Sequence, residues 1–161
     1  MKIRMANGEE MLKLWGYPDV DSASPTARYF YHHISAGNAL FWTLDHDGKL
    51  IGELYVFLNI EEDRDFADGS TTAYLCAFRV QKEYRGQGLG TRMMNTALAD
   101  LKSRGFLRAT IGVDDARNEK LYHRLGFTTK IKECYIDPCA RDENMNPIWE
   151  KEGYTLLTEE L

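Results

Sequence analysis

Leu89, Met93, Met94, Ala97, Leu98 and Leu101 recur three and four positions apart, with Arg92, Asn95, Asp100 and Lys102 between them and Gly105 just beyond. This spacing predicts an amphipathic helix that stops at a glycine. Shorter stretches of helical pattern cover residues 9–15, 26–34 and 118–125; Ser24 and Pro25 precede the second as a cap and first-turn proline, and Gly126 ends the third. Residues 39–44 and 50–58 are apolar, β-prone runs joined by Asp45-His46-Asp47-Gly48-Lys49, in which Asp-Gly signals a hairpin turn. Residues 72–80 are nearly apolar on both faces apart from Arg79, the pattern of a central strand. Ala109, Ile111 and Val113 alternate with Arg108, Thr110 and Gly112 as a further strand, and residues 131–136 and 154–157 read as closing strands around a polar, proline-containing loop at 137–147.

In chain order this is two helices, then hairpin, strand, helix, strand, helix, strand, strand. The order predicts an α/β chain with a mixed α+β sheet, flanking helices and one strand-helix-strand crossover in the middle. No repeat, linker or low-complexity run divides it, so residues 1–161 are expected to form a single domain. At 161 residues and 43% hydrophobic, the chain can bury a core without disulfides or a structural metal. Cys76, Cys134 and Cys139 are odd in number with no CxxC pair, which predicts reduced thiols, no metal and a cytoplasmic location. The N-terminus lacks a signal-like apolar core and no run is long enough to span a bilayer, so no membrane partner is expected. A net charge of -5 argues against a nucleic-acid partner, which needs clustered Lys and Arg. The acidic stretch Glu61-Glu62-Asp63-Arg64-Asp65 with Asp68 is open to two readings, a lure for a cationic amine or a solvated loop.

The chemistry is sought at the crossover. Between the central strand and the long helix lies Gln81-Lys82-Glu83-Tyr84-Arg85-Gly86-Gln87-Gly88-Leu89-Gly90-Thr91. Glycines at alternate positions let backbone N–H groups approach a ligand, and the helix start adds unpaired N–H groups and a positive dipole end, so the segment reads as a phosphate cradle. A tight turn without a ligand is the competing reading. A Walker A loop requires Gly-Lys-Ser/Thr, and a dinucleotide fingerprint requires GxGxxG on a first strand; neither is present.

Arg85-Gly86-Gln87-Gly88-Leu89-Gly90 matches Arg/Gln-x-x-Gly-x-Gly/Ala, and Leu121-Tyr122-His123-Arg124-Leu125-Gly126-Phe127 matches L-Y-x-x-x-G-F. With Phe78-Arg79-Val80 and Glu83-Tyr84-Arg85 ahead of them in order, the chain resembles the GNAT family of N-acetyltransferases over residues 72–127. The resemblance implies a GNAT-like acyl-CoA N-acyltransferase fold: a mixed, mostly antiparallel sheet with a splayed central strand pair. It implies acetyl-CoA as acyl-donor cosubstrate, no metal, and transfer of the acetyl group to the amine of a small molecule by direct attack on the thioester. The pantetheine arm would lie along Phe78, Arg79 and Val80, and the pyrophosphate on Arg85, Gly86, Gln87, Gly88, Leu89, Gly90 and Thr91. A backbone N–H at the strand's bulge would polarise the thioester carbonyl. Tyr122 would protonate the departing sulfur, a step worth about 10^2 in rate.

Asp115 stands where the family usually has asparagine, and Asn118 where alanine is commoner, so either is a candidate cofactor contact. No carboxylate lies between Ser70 and Gln81, which leaves the base unassigned; Glu53 and Tyr74 are candidates on the acceptor side, each with a structural role as the alternative. An amine of pKa about 10 is only ~10^-3 unprotonated at neutral pH, so a base or its equivalent is required. Other readings stay open: acetylation of a protein or peptide amine, a non-catalytic acyl-CoA sensor, and a homodimer. A generic nucleotide-binding domain is disfavoured by the paired motifs.

Overall fold

The structure, a computed structural model, describes all 161 residues. Seven strands form one open sheet in the order β1-β2-β3-β4-β5-β7-β6. The strands are β1 (Lys2–Ala6), β2 (Ala39–His46), β3 (Lys49–Phe57), β4 (Thr72–Val80), β5 (Arg108–Val113), β6 (Thr129–Arg141) and β7 (Pro147–Glu160). Helices α1 (Gly8–Leu14), α2 (Pro25–Ser35), α3 (Leu89–Ser103) and α4 (Ala116–Arg124) flank it. Every neighbouring pair is antiparallel except β4 and β5, which α3 connects as the expected crossover.

Local chemistry starts the helices where the sequence places them. Asn7 and Glu10 form a reciprocal capping box at α1, the Glu10 N–H donating to Asn7 Oδ1 at 2.9 Å and the Asn7 N–H to Glu10 Oε1 at 3.1 Å. Ser24 Oγ accepts the Ala27 N–H at 3.2 Å with Pro25 at the first helical position of α2. The β2–β3 turn carries Asp47 at φ 50° and Gly48 at φ 90°, the positive pair that a tight hairpin requires.

The sheet separates two apolar layers. On one face α3 inserts Met93, Met94, Ala97, Leu98 and Leu101 against Leu54, Val56, Leu75 and Ile111. On the other, α1 and α2 cover an aromatic-rich layer that includes Met11, Phe30, Phe41, Tyr55, Phe57 and Phe66. Burial of several such side chains, each worth about 1.5–3 kcal/mol, fixes the strand faces.

Three features differ from the sequence expectation. β1 was not anticipated: Ile3 and Met5 alternate with Lys2 and Arg4 over too short a run to mark a strand, none of its residues is fully buried, and it is held by pairing with β2 and by Arg4, which binds Asp45 at 2.9 Å and Glu10 at 2.6 Å. The loop expected at 137–147 is mostly strand, because β6 and β7 form a long arm whose turn is confined to residues 142–146. Pro138 is accommodated because β6 is an edge strand with register shifts on both sides of it. The acidic stretch is largely paired within the fold: Lys132 binds Asp63 at 2.6 Å and Asp65 at 3.0 Å, and Arg141 binds Glu62 at 2.9 Å.

Asp68 closes that stretch. Its carboxylate accepts the N–H groups of Ser70, Thr71 and Thr72 at 3.0, 2.8 and 2.9 Å, and the Thr71 hydroxyl as well. Partial burial pushes its pKa up, but these donors outweigh it and hold the carboxyl well below the usual range. A depressed folded pKa contributes stability that is fully present above about pH 4 and is lost as pH falls below it. Asp68→Ala should therefore lower the unfolding free energy by about 1–3 kcal/mol at neutral pH. Urea melts should also show a shallower loss of stability below about pH 4 in the variant than in the parent chain.

Candidate active site

The site begins where β4 stops behaving as a strand. β5 pairs with β4 only from Thr72↔Arg108 to Leu75↔Ile111, so from Cys76 onward the backbone of β4 is open on that side. On the β3 side, Tyr55↔Cys76 is followed by Glu53↔Arg79, which places two residues, Ala77 and Phe78, opposite Leu54. This is a β-bulge, and Ala77 sits in it at φ 51°, a conformation that disfavours a residue with a Cβ. The bulge and the divergence from β5 together open a gap through the sheet.

Directly beyond β4, a short 3-10 turn (Lys82–Tyr84) leads into the glycine loop. Gly86 at φ 80° and Gly88 at φ 77° turn the chain into α3, and no side chain caps that helix. Its first N–H groups thus lack intrahelical acceptors and face outward with the positive end of the dipole. Gly90 serves a different purpose: a Cβ there would lie 3.1 Å from the Phe78 ring and 3.3 Å from Val80 Cγ2, so glycine lets α3 start hard against the end of β4 without displacing those side chains. Arg85 donates from Nε to Val80 O at 2.7 Å and clips the loop to the strand.

A cleft of about 690 Å³ runs between this loop and α4. Phe78, Arg79, Val80, Arg85, Gly86, Gly88, Leu89, Gly90, Thr91, Asp115, Asn118 and Tyr122 all line it; Gln87 alone of the residues expected on the donor side does not. Asp115 also caps α4, accepting the Asn118 N–H at 2.7 Å, so the two positions that depart from the family pattern are bonded to each other. Tyr84, Arg117, Leu121, Arg124 and Leu125 line the cleft too and were missed by the motif reading. The signal for those on α4 was present, since residues 117, 121 and 124 follow the same helical spacing as 118, 122 and 125. Arg79, Arg85, Arg117 and Arg124 make this cleft cationic within a chain of net charge -5.

Tyr122 lies against Phe78 and Phe127, with ring centroids 6.5 and 6.4 Å away. Burial, with Asp114 and Asp115 nearby, pushes its pKa up to about 12. The hydroxyl therefore keeps its proton throughout the neutral and mildly alkaline range.

On the opposite face of the gap, under α1 and α2, lies a chamber of about 370 Å³ bordered by Trp15, Phe30, Tyr74, Cys76, Ala77, Arg79, Asp137 and Cys139. Tyr74 and Asp137 also border a smaller recess of about 180 Å³. Arg79 borders both the cleft and the chamber, so cleft and chamber meet at the bulged end of β4. The polar loop that the sequence left without chemistry thus supplies Asp137 and Cys139 to the chamber wall. No histidine borders the cleft, the chamber or the recess, and burial beside Cys76 pushes the Cys139 thiol well up, which disfavours a thiolate nucleophile.

Glu53 is not brought together with Tyr74. Only 6% exposed, its carboxylate accepts Trp15 Nε1 at 2.8 Å, the Tyr55 hydroxyl at 2.9 Å and Arg79 Nη2 at 2.9 Å, and it borders a separate recess behind Arg79. Its three donors make it the anchor that orients Arg79 and Trp15 at the chamber.

A sequence model of the family described as "Acetyltransferase (GNAT) family" matches residues 9–127. The chain is 30% identical over 112 residues to N-alpha-acetyltransferase 30 of Schizosaccharomyces pombe, an alignment covering 66% of this chain and 70% of that protein. Among solved structures, Arabidopsis thaliana NAA60 in complex with acetyl-CoA superposes with a TM-score of 0.66 at 14% identity, covering 99% of this chain and 98% of that one. An aminoglycoside 6'-N-acetyltransferase complexed with coenzyme A superposes with a TM-score of 0.65 at 14% identity, covering 99% and 97%.

Replacing Glu53 tests its anchoring role. Glu53→Leu leaves Trp15 Nε1 and the Tyr55 hydroxyl without acceptors and should cost about 2–4 kcal/mol in urea unfolding; Glu53→Gln, which keeps an acceptor oxygen, should cost clearly less.

Proposed function

The chain belongs to the GNAT family of acetyltransferases, and from that premise we propose that it moves the acetyl group of acetyl-CoA to the amine of a small molecule by direct attack on the thioester. The observation that carries this reading is the bulged, unpaired end of β4, with a cationic cleft on one face of the sheet and an acceptor-sized chamber on the other.

In this reading the N–H groups from Gly86 to Thr91 hold the pyrophosphate, with Arg117 and Arg124 supplying positive charge across the cleft. The open backbone of Phe78 to Val80 holds the pantetheine arm as an added strand would be held. A backbone N–H at the Ala77 bulge donates to the thioester oxygen, where negative charge develops, a contribution of ~3 kcal/mol when fully aligned. The acceptor arrives as an ammonium through the chamber and must shed a proton before attack. In this reading that proton passes to water in the chamber before the thioester is attacked. The C–N bond forms, the C–S bond breaks, and the second amine proton leaves to water. Tyr122 gives its proton to the departing thiolate and is reprotonated from solvent.

Acetylation of a peptide amino terminus is the second reading, favoured by the S. pombe relative, an N-alpha-acetyltransferase by name. The β6–β7 arm, which walls the chamber opposite α1 and α2, supports the small-molecule reading over an extended peptide.

Free-thiol release from acetyl-CoA across polyamines, aminoglycosides, amino acids and peptides tests the proposal. Turnover should appear with small amines, and turnover confined to peptides would favour the second reading. Tight donor binding with no turnover on any amine would contradict both. Tyr122→Phe should lower kcat by tens to hundreds of fold with donor affinity nearly intact. Because Tyr122 titrates only near 12, kcat/KM should rise with pH as the amine deprotonates and show no decline attributable to Tyr122 below about pH 11. Gly88→Glu should remove donor binding, since an added carboxylate would occupy the phosphate cradle; at φ 77° any side chain adds about 1–2 kcal/mol of strain, so Gly88→Ala, which carries the strain without the charge, should weaken binding clearly less.

A further inference from the structure

The small recess beyond Tyr74 has a composition unlike the rest of the surface. Tyr74, Gly112, Asp114, Asp137, Glu150, Gly153 and Tyr154 border it, with no Lys or Arg among them. Neither Asp114 nor Glu150 enters an ion pair, whereas Glu62, Asp63 and Asp65 in the acidic loop are all paired. Asp137 uses Oδ1 to accept the N–H groups of Cys139 and Ala140 at 3.0 and 3.2 Å, which leaves Oδ2 to the recess. Tyr74 is the independent sign of a ligand: only 6% exposed, it borders both recess and chamber, and its hydroxyl makes no hydrogen bond within the chain. The ring is buried but the hydroxyl oxygen is not sealed off, so this otherwise buried side chain presents a free acceptor to the acidic recess. Gly112 keeps that place open, because a Cβ there would come within 3.0 Å of the Tyr154 ring and 3.5 Å of the Tyr74 hydroxyl.

Between this recess and the bulge the chamber is mostly apolar, walled by Trp15, Phe30, Cys76, Ala77, Cys139 and Ala140. Tyr74 and Ala77 are three strand positions apart, roughly 10 Å along β4. An amine at the bulge, an aliphatic stretch through the chamber and a second cation in the recess describe one kind of molecule. We infer that the acceptor is an aliphatic diamine or polyamine, one nitrogen taking the acetyl group at Ala77 while a second ammonium is held by Asp114, Asp137, Glu150 and the Tyr74 hydroxyl. This rests on the transferase reading above and specifies its acceptor. A polyhydroxylated amine fits poorly, because the apolar walls offer its hydroxyls few partners.

The test compares cadaverine with n-pentylamine, which has the same carbon chain and a single ammonium, on the full chain and on Glu150→Gln and Asp114→Asn. Both substituted side chains are exposed, so the variants are expected to fold. In acetyl-transfer assays cadaverine should exceed n-pentylamine in kcat/KM by at least about thirtyfold, and each substitution should cut that ratio about tenfold. Calorimetric titration of the two amines reads the same preference without turnover. Equal rates and affinities for the two amines, or a preference that survives both substitutions, overturns the inference. Selective cadaverine binding that Glu150→Gln removes, in a protein that transfers acetyl to no amine, would uphold the recess as a cation site while refuting the transferase reading.

Discussion

Two parallel strands that cease to pair leave backbone groups exposed in the middle of a sheet, and this protein is organised around that exposure. β4 and β5 separate after Leu75 and Ile111, and the bulge at Ala77 takes β4 out of register with β3 at the same level. A positive φ at an alanine is held against an intrinsic preference, so the surrounding structure must over-determine it. That structure is identifiable: Arg79 is tied across β3 to Glu53, itself fixed by Trp15 and Tyr55, and Val80 O is clipped by Arg85.

Charge is partitioned along the same divide. The cleft side gathers Arg79, Arg85, Arg117 and Arg124 around an uncapped helix start, whereas the recess beyond the chamber gathers Asp114, Asp137 and Glu150. A chain of net charge -5 thus places opposite signs at the cleft and at the recess, matching the anionic donor and cationic acceptor of the proposed reaction. Tyr122 stands in the cleft wall, and burial holds its proton, as the proposed acid role requires.

Much of this was legible in the sequence. The 3-and-4 spacing of α3 and the Asp47-Gly48 turn specify their elements locally, and the glycine loop with the tyrosine motif points to the cleft residues other than Tyr84, Arg117, Leu121, Arg124 and Leu125, while adding Gln87, which does not line the cleft. What escaped has physical causes. β1 alternates apolar and polar residues over too short a run to stand out and depends on its partner strand and on ion pairs, and Pro138 suggested a loop because the edge position that tolerates it is a tertiary property. The bulge has no local sequence signal, since alanine is an ordinary strand residue and its positive φ is imposed from outside. The acidic stretch at 61–68 drew attention by density along the chain, but Glu62, Asp63 and Asp65 are neutralised by Lys132 and Arg141 from β6. Asp114, Asp137 and Glu150, which border the recess without an ion pair, are scattered in sequence and meet only through the fold.

The central claim is that the opened end of β4 and the start of α3 together receive the acyl donor. Backbone amide shifts followed by NMR during titration with acetyl-CoA test it most directly. The account predicts the largest changes at Ala77 through Val80 and Gly86 through Thr91, with ATP giving changes only in the second group. Changes centred elsewhere, or a response in which the β4 amides stay still while acetyl-CoA binds, would contradict it.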